Sequence, residues 1–418
     1  MQQASSLDVF FGGELVGTIR DSSPIAFEYS ATWLKRADPI PVAAIPLRAG
    51  RHDTAAVQAY IENLLPEGEL RLYIAEQKKA STLFAMLLEV AGDTAGGFVI
   101  LPAGQAPGPA TYKTISWKAL GDMIVKKSTA AVDIKGRDAR ISLAGAQDKT
   151  SIAIFGDGVP RLPNGTAPST HILKPNIKRL AKVWHSAANE TIIMMTAAKC
   201  GLPAAEVFYE PRTQSCVVRR FDRFTHADGA VGRLIQYDLC QLAGLVSEKK
   251  YEKEGGPGIA TCAELIRTYS AQPAVDLRNF VAWIFFNLYV GNNDSHAKNL
   301  SVYRVPGVGV TLAPFYDLMC TRLYPGLSPE FAFAIGGETK PGAVTRANIT
   351  VMAGQLRMQP RFIANEASEL ARKIPDAIGQ SVEEVMPSLP HGAKDLAKKL
   401  QRYVRSTTTK IASRIGDR

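Results

Sequence analysis

An aspartate, an asparagine five positions on and a second aspartate after a short alternating stretch form the most chemically suggestive spacing in the chain. They are Asp294 and Asn299 in Gly291-Asn292-Asn293-Asp294-Ser295-His296-Ala297-Lys298-Asn299, and Asp317 in Ala313-Pro314-Phe315-Tyr316-Asp317. One carboxylate can orient a hydroxyl nucleophile while an amide oxygen and a second carboxylate hold magnesium against phosphates, so the chemistry in view is phosphoryl transfer. Each residue also has a plain reading: Asp294 as a helix or turn cap, Asn299 filling a left-handed position, Asp317 as a surface acid. The order Asp-x4-Asn, hairpin, Asp favours the chemical reading.

Such a set needs elements to position it. The stretch from about Val275 to Tyr289 is apolar nearly all round, which predicts a helix buried in a helical lobe and ending at the candidate loop. Leu300–Tyr303 and Val308–Leu312 alternate as a hairpin, which would return Asp317 beside Asn299, where both can ligate one oxygen-seeking cation. Upstream, Thr170-His171-Ile172-Leu173-Lys174 reads as a strand ending in a lysine, by itself an edge residue reaching water. Ser186 can cap a helix running to about Cys200 and stopped by Gly201-Leu202-Pro203, on which Glu190 shares a face with Ile193, Met194 and Ala197. A carboxylate on an inward face requires a cation, and Lys174 is the candidate, either as a structural pair or as a grip on nucleotide phosphates. Ile141-Ser142-Leu143 and Thr150–Phe155 read as strands joined by the small-residue turn Ala144-Gly145-Ala146-Gln147; with one glycine the turn reads first as an ordinary hairpin and second as a phosphate cradle.

Elsewhere, Asp8–Phe11, Leu15–Ile19 and Ala26–Tyr29 predict a small β-rich opening. Residues 54–90 take helical spacing, with Val57, Tyr60, Ile61 and Leu64 on one face, a stop at Pro66-Glu67-Gly68 and a second helix from Glu69; Gly97–Leu101 is a strand. Pro102–Pro109 is the linker candidate, with a domain boundary between about 105 and 135. Ser215–Arg219 is an apolar strand running into charged residues, and Gly255-Gly256-Pro257-Gly258 is a loop before a helix over Ile259–Tyr269. The longest apolar run, Val281–Val290, is about half a membrane span, and Met1–Ser6 lacks the basic and apolar regions of a secretory signal, so a cytosolic protein without membrane contact is expected. Five scattered cysteines, never in a CxxC pair, read as reduced thiols. The formal net charge is +10, and more than half of the excess falls in residues 391–418. There Lys394, Lys398, Arg402 and Arg405 form a stripe backed by Leu396, Leu400 and Val404, which reads first as a solvated face and second as a contact to DNA phosphates.

Taken together these residues resemble the HipA-type serine/threonine kinase toxins of bacterial type II toxin–antitoxin systems. The likeness is carried by Ile141 through Thr150, Thr170 through Lys174, Arg220-Phe221-Asp222-Arg223, Tyr251 through Ala260, Asp294 through Asn299 and Pro314 through Asp317, and more weakly by Asn63–Pro66 and Gly92–Gly97. The resemblance implies an α+β, two-lobed protein-kinase-like (PI3/4-kinase-like) core: an N-terminal subdomain over 1–110, a connection over 111–135, an N-lobe part over 136–225 and a helical C-lobe over 226–418. It implies ATP and Mg2+ as cofactors. Asp294 would be the catalytic base, Asn299 and Asp317 the metal ligands and Lys174 the phosphate-binding lysine, with Glu190 its ion-pair partner and His296 and Tyr316 near the nucleotide. Ala144, Gly145, Ala146, Gln147, Asp148 and Lys149 would form the phosphate loop, reversing the plain-hairpin preference, and Ser142 would be the autophosphorylation site that expels that loop. Arg219, Arg220 and Phe221 would form the hinge facing the adenine, although Arg219 stands where the best-known member has an acidic residue, which leaves backbone contacts there. The resemblance further implies phosphorylation of an aminoacyl-tRNA synthetase such as glutamyl-tRNA synthetase, with translation arrest and persistence as the outcome. A HipB-type helix-turn-helix antitoxin would be the partner, and operator DNA would be bound with it, associating the protein in part with the nucleoid. Two other readings stay open: a small-molecule or lipid kinase of similar fold, and an inactive DNA-bound co-repressor.

Overall fold

Apolar residues alternate along Ser6–Phe11 (β1) and Glu14–Arg20 (β2), placing Leu7, Val9, Val16 and Ile19 in the interior of an antiparallel pair. The computed structural model describes residues 5–67, 71–72, 75–76, 80–90, 93–126, 149–178 and 180–416. Ala26–Tyr29 (β3) follows, then the short helix Ala31–Leu34 (α1), Arg51–His52 (β4), Ala55–Leu64 (α2), Leu83–Val90 (α3) and Val99–Pro102 (β5). The first sheet has the order β4-β3-β2-β1-β5. The four residues expected on one face of α2 are all buried, and Leu65 leaves the helix in extended backbone one residue before Pro66. The expected helix start at Glu69 lies outside the described residues.

Residues 111–135, expected as a connection, carry structure in their described part: Thr111–Thr114 (β6) and Trp117–Lys126 (α4). β6 pairs with Pro160–Asn164 (β8), which pairs with Thr150–Ile154 (β7), which in turn pairs with His171–Pro175 (β9) in the register Thr150↔Leu173. Of the prolines in the expected linker, Pro102 closes β5, and Pro107 and Pro109 precede β6 outside any strand.

After β9 come Ser186–Lys199 (α5), the hairpin Val207–Glu210 (β10) with Ser215–Arg219 (β11), the ribbon Arg223–Thr225 (β12) with Val231–Arg233 (β13), Gln236–Asp238 (β14) and Leu239–Ala243 (α6). Ser186 does not cap α5. It is the first helical residue, fully buried, and its hydroxyl accepts the Ile177 N–H at 2.8 Å, while His185 holds the cap position with a left-handed backbone. The chain then forms Ile259–Tyr269 (α7), Pro273–Val290 (α8), the hairpin Ser301–Val305 (β15) with Gly309–Leu312 (β16), and three long helices: Arg346–Leu356 (α9), Pro360–Val385 (α10) and His391–Ile415 (α11).

Two compact units result, and they interleave along the sequence: residues 1–173 with 220–248, and residues 174–219 with 249–418. The divisions expected at 110, 135 and 225 follow chain order, which this interleaving does not. The first unit is sheet-rich and the second mainly helical, as expected of the core. All five cysteines are free and buried. Among the described residues no helix is long and apolar enough to cross a membrane.

Candidate active site

Twelve of the eighteen residues of α8 are buried, so the helix has little solvent-facing side and its direction is fixed by packing. It ends at Gly291, whose φ of +75° suits glycine, and a Cβ there would meet the Tyr403 ring at 3.0 Å. The following loop is held from both sides. Asn292 donates from Nδ2 to Asn287 Oδ1 at 2.7 Å; the Asn293 N–H reaches Thr321 Oγ1 at 2.8 Å, and Asn293 Nδ2 reaches the Ser328 carbonyl at 3.0 Å. Asn299 Nδ2 donates to the Asp294 carbonyl at 3.1 Å, closing the five-residue span seen in the sequence. Between Gly291 and Leu300, Asp294 is the exposed residue and every other is buried. A loop that buries its asparagines, its histidine and its lysine while presenting one acid to solvent has the form of a site rather than of a surface turn.

The hairpin β15–β16 returns the chain as expected, in the register Val302↔Leu312. Asp276, in the first turn of α8 and 2 % exposed, anchors it by accepting from the Leu312 N–H at 2.8 Å, from Thr311 Oγ1 at 3.0 Å and from Ser270 Oγ at 2.6 Å. Tyr316 then ties the returning strand to the loop: its hydroxyl lies 2.7 Å from Ser301 Oγ and donates to the Lys298 carbonyl at 3.1 Å, next to Asn299. Asp317 follows with φ +59°, an uncommon backbone for a residue with a side chain and one that clusters at functional sites.

Lys174 meets Asp317 directly. Its Nζ lies 2.6 Å from Asp317 Oδ1 and 2.6 Å from Glu190 Oε1, so the lysine is no edge residue reaching water. Burial alone would push the ammonium below its ordinary value, but Asp317 and then Glu190 outweigh it and hold Lys174 well above that value. Lys174 is therefore a fixed cation at any working pH. The Glu190 side chain is 2 % exposed and the Asp317 side chain 45 % exposed, so one carboxylate is a buried anchor and the other faces outward.

Ser142, Ala144, Gly145, Ala146, Gln147 and Asp148 fall outside the described residues, and Lys149 directly precedes β7. Arg219 is exposed and pairs with Glu206 at 2.9 Å. Arg220 is buried in the first unit, with its guanidinium on Asp222 at 2.7 Å and Asp93 at 3.2 Å and its N–H on the Thr170 carbonyl, so this side chain is committed to packing the protein. Phe221 follows it in a turn. Two contributors were given no role in the sequence reading, Asn189 and, although it opens a matched stretch, Tyr251. Asn189 on α5 brackets Cys320, donating to its carbonyl at 3.0 Å and accepting its N–H at 2.9 Å, which holds the chain beyond Asp317. Tyr251 donates its hydroxyl to Asp294 Oδ1. An asparagine inside an apolar helix is a readable signal; a tyrosine forty-three residues from its acceptor is not.

Fold and site define an enzyme of the two-lobed, protein-kinase-like class. Residues 7–101 match the HipA N-terminal domain and residues 141–379 the HipA-like C-terminal domain, and the chain belongs to the HipA family of kinases. It is similar to the putative kinase Y4mE of Sinorhizobium fredii, 37 % identical over 79 % of this chain and 80 % of that one. It is also similar to the serine/threonine-protein kinase toxin HipA of Shewanella oneidensis, 26 % identical over 96 % of each. Among solved structures it resembles the Shewanella oneidensis HipA in complex with HipB and operator DNA, with a TM-score of 0.80, 25 % identity and coverage of 98 % of this chain and 96 % of that one. The protein is thus an ATP-using serine/threonine-protein kinase by family.

Proposed function

We propose that this kinase transfers the terminal phosphoryl group of ATP to a serine of a translation protein, with an aminoacyl-tRNA synthetase such as glutamyl-tRNA synthetase as the substrate class, and so arrests translation. The observation that carries the reading is Asp294, the exposed carboxylate on an otherwise buried loop whose Asn299 is hydrogen-bonded back to it. In that role Asp294 orients the serine hydroxyl and accepts its proton as the phosphorus–oxygen bond forms.

The donor set fits ATP with Mg2+. Because Asn299 Nδ2 is engaged by the Asp294 carbonyl, the amide is oriented with its oxygen as the acceptor, and Asp317 adds an outward carboxylate. These are hard oxygen donors, and Mg2+ is ordinarily held by one or two carboxylates together with substrate phosphates. When bound, the cation would neutralise phosphate charge and ATP would supply the phosphoryl group. Lys174, anchored from behind by Glu190, provides a fixed positive charge for phosphate oxygens. Ser142, at the start of the matched C-terminal domain, is the proposed autophosphorylation site and off-switch.

The HipB–operator complex of the Shewanella relative supports a HipB-type antitoxin and operator DNA as partners, with repression of the protein's own operon. Helix α11 bears on this. Lys398 and Arg402 are exposed and Lys394 is half-buried, so these three can meet DNA phosphates, whereas Arg405 donates from Nε to the Pro375 carbonyl on α10 at 3.0 Å.

The test is incubation with labelled ATP and magnesium, alone and with a panel of aminoacyl-tRNA synthetases, comparing wild type with Asp294→Asn and Ser142→Ala. Wild type should label one synthetase and itself, Asp294→Asn neither, and Ser142→Ala the synthetase alone. Absence of any Asp294-dependent labelling of a protein would overturn the reading.

A further inference from the structure

Tyr251 opens one of the matched stretches but has been given no part in the chemistry above, yet its hydroxyl donates to Oδ1 of Asp294. Its ring is fixed on other sides as well. It meets the His296 ring edge-on at a centroid distance of 5.0 Å, and the Lys250 ammonium lies 5.5 Å from its centroid. The backbone behind it is a closed turn. Glu254 and Gly256 both donate their N–H to the Tyr251 carbonyl, at 3.0 and 2.9 Å. The turn folds back so tightly that a Cβ on Gly256 would stand 2.2 Å from the Lys249 carbonyl oxygen and 2.7 Å from that of Tyr251, contacts no side chain could tolerate. The turn is tied down in its own right, because Glu252 Oε2 accepts the Ala334 N–H at 2.7 Å.

We infer that Tyr251 is a positioning residue for the catalytic base: it holds Asp294 through Oδ1 and thereby assigns proton acceptance from the substrate hydroxyl to Oδ2. Asp294 needs such a brace. Its main chain is secured by Asn292 and Asn299, but its side chain stands exposed, and an exposed carboxylate on a rotatable bond samples several orientations of which few face a nucleophile. A fixed phenol removes that freedom with a hydrogen bond to a charged acceptor, the stronger kind. The Gly255–Gly258 loop thereby acquires a role: it shapes the turn that carries the brace.

This inference rests on the proposed role of Asp294 as base. The experiment measures ATP-dependent phosphorylation of the substrate protein by wild type, Tyr251→Phe, Tyr251→Ala, Asp294→Asn and the Tyr251→Phe/Asp294→Asn double variant, with thermal melts on each. Tyr251→Phe keeps the ring against His296 and removes only the hydroxyl, so its melting temperature should match wild type. Its kcat should fall about tenfold or more with the KM for ATP unchanged, on the scale of one hydrogen bond to a charged group. Whatever trace of transfer Asp294→Asn retains should be the same in the double variant, because Tyr251 acts through Asp294. Tyr251→Phe with wild-type kcat, or with higher kcat because the phenol obstructs the base, overturns the inference while leaving the kinase reading in place. Wild type that shows no Asp294-dependent transfer overturns both.

Discussion

Lys174 is the residue whose replacement separates structure from chemistry most cleanly. Its ammonium joins Glu190, which is nearly inaccessible, to Asp317, which is not. Lys174→Met would leave Glu190 a buried charge without its cation, and breaking a buried pair in this way costs about 3–5 kcal/mol. We expect a destabilised kinase, read as a lowered urea midpoint, whose residual folded fraction transfers phosphate at least about a hundredfold more slowly. A variant that melts early yet keeps wild-type turnover per folded molecule would restrict Lys174 to structure. The sequence pointed to this pair, since a glutamate on an inward helical face requires a cation and the lysine closing an apolar strand was the candidate. It could not show that the same lysine also meets Asp317, because that contact spans 143 residues and depends on the left-handed turn at Asp317.

At the scale of elements, the site depends on where α8 stops. Gly291→Ala would force a side chain into a backbone at φ +75° and against Tyr403 and Arg322, so it should cost about 1–3 kcal/mol and displace the loop that bears Asp294. The expected readout is a kcat loss larger than the loss in thermal stability alone explains, with secondary structure by circular dichroism unchanged. Wild-type kcat in Gly291→Ala would show that the loop is held by its asparagines alone. α8 and the hairpin after it were legible, because continuous apolarity and strict alternation are strong local patterns. β6 and α4 were not, since prolines and glycines around them resemble a linker until a partner strand is known. The cap assigned to Ser186 failed for a similar reason: a serine at a helix start is a cap only if its hydroxyl is not already engaged, and here Ile177 engages it.

At the scale of the whole molecule, the first unit is held by a buried ionic cluster: Asp93 and Asp222 against Arg220, Arg223 and Arg233. Burial alone would raise both aspartates, but the arginines more than compensate and hold each carboxylate below its ordinary value; Arg233, with less compensation for its own burial, is pushed down to about 10. For an acid whose folded value is depressed, the stability it adds is present above its unfolded value near 4 and is lost as pH falls through the folded value. The kinase should therefore lose stability steeply below about pH 4, and Asp93→Asn should flatten that acid limb while lowering stability at neutral pH by about 3–5 kcal/mol. Denaturant midpoints across pH 2 to 7 would show it, and parallel curves for the two proteins would discount the cluster. The cluster also bears on biosynthesis. Asp93 must await Arg220, 127 residues later, and the part of the second unit from 174 to 219 is made in between. At ribosomal speeds of roughly 5–20 residues per second that is a delay of roughly 6–25 seconds. During it the nascent first unit has an unpaired acid where its interior should close, so it is open to chaperones and proteases, and a stalled or truncated message cannot leave a finished first unit behind.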